Sequence, residues 1–227
     1  VSRQIALDTE TTGIGFDHGH RVIEIGCVEF VDRKLTGNNF HVYINPQRDV
    51  PEEAVRIHGI TSDFLADKPV FSEVARAFED YVSGAELIIH NARFDVGFLD
   101  AELGLVTPGF PGLDRLCRVT DTLRMAKQKF PGQRASLDVL CARLGVDNRH
   151  RELHGALLDA QLLADVYLSM TGGQIRLSLE AGDDLRNGGE KQCMRLKEPC
   201  KGPVIHPTAE EMTSHLAYLS ALGQDQW

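Results

Sequence analysis

The chain has little of what would place it outside an aqueous, reducing setting. Its five cysteines, Cys27, Cys117, Cys141, Cys193 and Cys200, are odd in number and none is closely paired. That pattern argues against a disulfide framework and against a zinc cluster, and it fits a reducing cytoplasm. Cys27 and Cys141 lie in apolar stretches and read as buried thiols. Cys193 and Cys200 lie in a polar segment and read as exposed ones. No apolar run approaches the roughly 20 residues of a membrane span. Val1-Ser2-Arg3-Gln4 leads straight into a strand, which is not how a signal peptide opens. Tryptophan occurs once, at Trp227, and no internal repeat is present. Basic residues are also scarce: 24 Lys and Arg stand against 33 Asp and Glu, a net charge of -9. Affinity for phosphates usually comes from Lys and Arg. Two readings follow: nucleic acid is not the partner, or binding is weak, metal-assisted and supplemented by tethering.

What is present is a globular composition, 42% hydrophobic and 25% charged over 227 residues. That supports one domain with a real core plus an appendage. Residues 4–8, 21–31 and 39–44 read as three strands with short connections, an antiparallel meander. Asn45-Pro46 ends the third. Ser72 reads as the cap of a helix over 73–82, with Val74, Phe78 and Val82 at helical spacing. Residues 86–90 form a fourth strand, apolar enough to be central, and 92–103 a helix. A short fifth strand lies near 118–121, followed by helices at 122–130, 136–144 and 155–170. Strands first, then strands alternating with helices, imply an α/β fold: a mixed sheet of meander plus parallel strands, flanked by helices.

Three short motifs carry the chemistry. Asp8 and Glu10 stand two apart at a strand end, so both side chains share one face. Adjacent carboxylates repel, and a shared Mg²⁺ or Mn²⁺ gives such a pair a use, since hard cations take oxygen ligands. The plain alternative is a solvated strand end before a Thr-Thr-Gly turn. Asp95 opens a helix after the 86–90 strand, where an acidic residue is favoured by the helix dipole anyway. His154 and Asp159 are five apart, about 140° on a continuous helix, which is poor for one site. A helix starting at or just after Gly155 leaves His154 on the preceding loop, free to bend toward Asp159.

Together the motifs resemble those of the DnaQ-like (DEDDh) 3′–5′ exonucleases, Asp-x-Glu, Asp and His-x4-Asp, in the same order. The likeness extends over residues 1–173, through Thr36-Gly37-Asn38-Asn39-Phe40-His41-Val42-Tyr43, His58-Gly59-Ile60-Thr61, Val119-Thr120-Asp121 and Leu153–Gln161. It is strongest toward the proofreading subunits of bacterial replicative polymerases. The resemblance implies a ribonuclease-H-like fold and two divalent cations, Mg²⁺ or Mn²⁺. It implies that Asp8 bridges them, that Glu10 and Asp159 complete one site, and that Asp95 holds the second ion directly or through water. His154 would deprotonate the attacking water, and a 3′ nucleotide would leave as a 5′-monophosphate. Thr9, Thr11 and His58 are candidate substrate contacts, the main-chain N–H groups near Thr9–Thr11 facing the terminal 3′ hydroxyl.

Composition changes at Gly172-Gly173, and residues 174–203, rich in Gly, Pro and charge, read as a linker. Within it Gln174-Ile175-Arg176-Leu177-Ser178-Leu179 resembles the clamp-binding peptides of bacterial replication proteins. Gln174 would bond at the rim of an apolar pocket that takes Leu177 and Leu179. Thr208-Ala209-Glu210-Glu211 is a capping-box pattern, followed by Met212, Leu216 and Leu219 on one helical face. A lone helix is marginal in water, so 204–227 reads as a segment that folds on the polymerase subunit, with Trp227 as an anchor. A small accessory subunit is a further candidate partner. The resulting expectation is a proofreading exonuclease acting on single-stranded 3′ ends, associated with the replisome. Its rivals are an adaptor bridging polymerase and clamp, which the intact five chemical residues count against, and an RNA-trimming exonuclease, which the tail counts against.

Overall fold

The computed structural model describes residues 3–149, 153–172 and 208–221, with 217–221 described by backbone alone. The chain divides into two units, Val1–Arg176 and Leu177–Trp227. In the first, six strands form one sheet in the order β3-β2-β1-β5-β6, with β4 also paired to β2. These are β1 (Arg3–Thr11), β2 (Val22–Val31), β3 (Lys34–Leu35), β4 (Phe40–Tyr43), β5 (Glu86–Ile89) and β6 (Arg118–Asp121). β1 runs antiparallel to β2 and parallel to β5, and β5 is parallel to β6. The expected mixed sheet is therefore present, with the apolar 86–89 segment central.

Alternation along β1 explains how both faces are buried. Ile5 and Leu7 point into a core with Phe71, Phe78, Phe98 and Leu103, from helices α3 (Phe71–Val82) and α4 (Ala92–Val106). Ala6 points the other way, with Val28, Phe30 and Ile88, against Ala160, Leu163 and Ala164 of α7 (Ala156–Thr171). Small residues on both sides let α7 lie close to the sheet. At Gly26 an added Cβ would stand 2.2 Å from the backbone of Ala156 and Leu157, so no other residue fits there. Helices α5 (Thr122–Lys129) and α6 (Leu137–Leu144) pack on the outer side of α7.

Three local expectations need correction. The third strand, expected over 39–44, is present as β4, which pairs with residues 24–27 of β2, but a short unexpected strand, β3, precedes it and pairs with Phe30 and Val31, with a break between the two. The break follows Thr36, whose N–H and hydroxyl both turn back to Glu29, and Gly37 at φ 79. Ser72 is not the cap of α3. The helix starts earlier, with extended Val70 as N-cap and the Glu73 carboxylate accepting the Val70 N–H at 3.1 Å. Two short helices, α1 (Glu52–His58) and α2 (Ser62–Leu65), were not expected. They cover Ile23 through Ala54 and Leu65, together with Ile60 from the turn between them.

In the second unit α8 (Ala209–Ala221) begins with the expected capping box. Glu211 accepts the Thr208 N–H at 2.8 Å, and the Thr208 hydroxyl accepts the Glu211 N–H at 3.3 Å. Met212 and Leu216 on it are exposed. Gln174, Leu177, Leu179 and Trp227 lie outside the described residues, as does the whole 174–203 segment, Cys193 and Cys200 included. Of the cysteines, Cys27 and Cys141 are buried as expected, and so is Cys117. Among the described residues no helix is long and apolar enough to cross a membrane.

Candidate active site

The sheet delivers its acidic residues to one end. β1 continues past Asp8 to Thr11, with a register shift between Glu10 and Thr11. Asp8 and Glu10 keep the parity of Ala6, so they extend the face covered by α7. β5, parallel to β1, ends at Ile89 beside Leu7, one residue before Asp8, and the chain turns sharply into α4 at Asn91, which is left-handed at φ 66. That turn places Asp95 in the first turn of α4, and it is 3% exposed. One oxygen of Asp95 accepts the Thr9 N–H at 3.1 Å and the Thr9 hydroxyl at 2.7 Å. Burial pushes the Asp95 carboxyl up to about 7; the Thr9 bonds hold it down, while Asp121 nearby adds to the rise.

α7 begins at Ala156 with Gly155 as N-cap, so His154 sits on the loop and not on the helix. The 140° objection to the His154–Asp159 pair therefore falls away. His154 Nδ1 stands 3.4 Å from Asp159 Oδ2, with the histidine half exposed and the aspartate buried. The His154 N–H donates to the Ile57 carbonyl at the end of α1. Ligand atoms of Glu10, His154 and Asp159 all lie within 4.8 Å of one another. Asp8, Thr9, Glu10, Asp95, His154 and Asp159 line one cleft of about 530 Å³. Buried oxygen donors with an imidazole at this spacing suit a hard divalent cation.

Next to it lies a more enclosed, apolar cavity of about 370 Å³, lined in part by Thr11, Ile14, Ile57, His58 and Phe94. Thr11 donates its hydroxyl to the Gly13 carbonyl. His58 is buried, and its Nδ1 accepts the Ile60 N–H at 3.0 Å. Burial lowers its pKa, with the Thr11 backbone beside it working the other way. Of the three candidate substrate contacts, Thr9 thus spends its N–H and hydroxyl on Asp95, while Thr11 and His58 share the apolar cavity.

Sequence reasoning missed Ile57 and Phe94 on that cavity and Glu24 behind the cleft. Phe94 stands beside Asp95 within its motif, a signal that was available. Glu24 is one of two charges, with Glu29, inside the apolar run Val22–Val31, where a buried carboxylate needs partners.

Comparison with known proteins agrees with this geometry. The exonuclease (RNase_T) family model matches residues 5–167. The chain is 52% identical over 225 residues to the DNA polymerase III subunit epsilon of Escherichia coli (strain K12), covering 96% of this chain and 93% of that one. It is 46% identical to the subunit epsilon of Rickettsia prowazekii, covering 97% and 96%. Exonuclease X in complex with 5′ overhanging duplex DNA superposes with a TM-score of 0.53 at 28% identity, over 77% of this chain and 95% of that one. The zinc-bound Escherichia coli ExoI–ssDNA complex shares the fold at a TM-score of 0.63 and 17% identity, over 77% and 41%. With a match through the whole sheet and half identity over nearly full length, the chain belongs to the exonuclease family and, within it, to the family of DNA polymerase III epsilon subunits.

Proposed function

We propose that this chain is the proofreading 3′–5′ exonuclease of a bacterial replicative polymerase, hydrolysing mispaired 3′-terminal nucleotides to 5′-mononucleotides. The observation that carries the reading is the convergence of Asp8, Glu10, Asp95, Asp159 and His154 on one cleft from three separate segments of chain. The exonuclease family depends on divalent metal. In this chain Asp8 would bridge two ions, Mg²⁺ or Mn²⁺, Glu10 and Asp159 would complete one site, and Asp95 would serve the second. Bound there, the ions would lower the pKa of water and offset charge on the reacting phosphate.

The remaining chemistry belongs to side chains. His154, half exposed to the cleft, takes the proton of the attacking water. Asp159, 3.4 Å from Nδ1, orients the ring and stabilises its charged form once the proton has moved. The apolar cavity beside Thr11, Ile57 and Phe94 takes the terminal nucleoside, and His58 closes its inner wall. An unpaired terminus reaches this cleft at less cost than a paired one, because unpairing costs less there. A second assignment for His154, as a ligand beside Glu10 and Asp159, is favoured by their 4.8 Å grouping; metal binding by a His154 variant separates the two.

The net charge of -9 suits a nuclease that is tethered. A free domain with strong affinity for DNA would compete with synthesis, and tethering supplies effective concentration instead. Residues 1–173 would form the exonuclease domain and 174–203 the linker. Residues 174–179 would bind the beta sliding clamp, and residues 204–227 would bind the DNA polymerase III alpha subunit. A small accessory subunit is a further possible partner, and a cytoplasmic, replisome-associated location follows. Incubating the chain with 5′-labelled single-stranded DNA and RNA, with Mg²⁺ or with EDTA, tests the activity. A ladder shortening from the 3′ end only with metal is expected; cleavage in EDTA or from the 5′ end would overturn it.

A further inference from the structure

Glu24 stands directly opposite Glu10 in the β1–β2 ladder, and opposite Tyr43 on its other side in β4. Like charges placed opposite each other in a sheet are destabilising, and Glu24 is only 2% exposed. Such a group persists where each oxygen has a partner. His41 Nε2 donates to Glu24 Oε1 at 2.7 Å, and the Ala156 N–H donates to Glu24 Oε2 at 3.1 Å. Burial first, and then the Glu24 carboxylate, raise the Tyr43 hydroxyl above its ordinary value, as its position beside Glu24 requires.

Ala156 is the first residue of α7, and its N-cap, Gly155, has no side chain with which to cap. The cap is supplied by another strand. Glu24 meets the first free N–H of the helix, and its charge complements the positive end of the helix dipole. Gly26, two residues along on the same face, lets the first turn of α7 touch the sheet. His154 lies two residues before this anchor, and Asp159 three residues after it.

We propose that Glu24 is a positioning residue for the metal site: by capping α7 from β2 it sets where His154 and Asp159 stand against Glu10. The proposal rests on the metal-dependent reading above. Glu24 and His41 form an outer layer behind the ligands, and such partners typically govern metal affinity and activity by about 10- to 100-fold.

Full-length Glu24→Ala, Glu24→Gln and Glu24→Asp, compared with wild type, test it by Mn²⁺ calorimetry and by steady-state cleavage of single-stranded DNA. Glu24→Ala should weaken Mn²⁺ binding about 10-fold and lower kcat by a similar factor, with KM for DNA within about two-fold. Glu24→Gln keeps an acceptor oxygen at full reach and should stay within about three-fold of wild type in both. Glu24→Asp keeps the charge but is one methylene too short to meet both His41 and Ala156, and should resemble Glu24→Ala. A purely structural role would lower the melting temperature and leave the Mn²⁺ affinity of the folded protein unchanged. That result, or a Gln variant as impaired as the Asp variant, overturns the proposal. If Glu24→Ala does not fold, the Gln and Asp pair decides alone. A wild-type chain that neither binds Mn²⁺ nor cleaves DNA overturns the metal-dependent reading; an active wild type with indifferent Glu24 variants overturns only this inference.

Discussion

Thr9 gives both its main-chain N–H and its hydroxyl to a single oxygen of Asp95, at 3.1 and 2.7 Å. This pair ties the end of β1 to the first turn of α4 and holds a buried carboxylate at the edge of the cleft. The hydroxyl favours the charged form, against a burial effect that lifts the group to about 7. Thr9→Val removes the hydroxyl bond, so the Asp95 pKa in metal-free protein should rise further. Carboxyl NMR titration checks this; an unchanged or lowered value would contradict it.

The same shift gives stability a pH dependence. Folded Asp95 keeps its proton up to about 7, whereas the ordinary value is 3.8. Between those values the folded state holds more protons, so metal-free stability falls as pH rises through that window. Asp95→Asn mimics the protonated form and escapes this loss. Its advantage in melting temperature over wild type should widen from about pH 5 to about pH 8. A gap that stays constant or narrows would show that Asp95 is ionised throughout.

His154→Ala should lower turnover by roughly 100-fold or more, the usual scale for a general base. Mn²⁺ binding should survive, since the proposal gives the ion to carboxylates. Calorimetry showing affinity lost together with activity would make His154 a ligand.

How much of this was readable in the sequence depends on distance along the chain. Asp8 and Glu10 were legible because strand alternation alone puts them together. The loop position of His154 was open in the sequence, because it depended on where the helix near Gly155 starts, and the structure starts α7 at Ala156. Asp95 was legible only as part of a motif, because an acidic residue in a first helical turn is common. Glu24 was not legible as a functional residue: its partners, His41 and Ala156, are 17 and 132 residues away. The helices α1 and α2 escaped because each is too short for a periodic pattern and is held mainly by packing on Ile23.

The tail should behave as two separate handles. Leu177→Ala with Leu179→Ala should weaken clamp binding and spare polymerase binding, and deleting 204–227 should do the reverse. Each handle alone should bind modestly, since ordering a segment on a partner costs free energy. Pull-downs with purified clamp and polymerase check it. Loss of both partners from either change, or of neither, would refute the division. Residues 1–173 alone should remain folded and cleave single-stranded DNA at nearly the wild-type rate, because α7 ends at Thr171.

The carboxylates and His154 are proposed to form one metal-dependent site that removes mispaired 3′ ends. Single-turnover cleavage of a primer with a mispaired or a paired 3′ terminus, in Mg²⁺, tests it most directly with wild type, Asp8→Ala, Glu10→Ala, Asp95→Ala and Asp159→Ala. Wild type should release the mispaired nucleotide faster, and each variant should lose most activity while remaining folded. Equal rates on both termini, or a variant with near-wild-type turnover, would contradict the account.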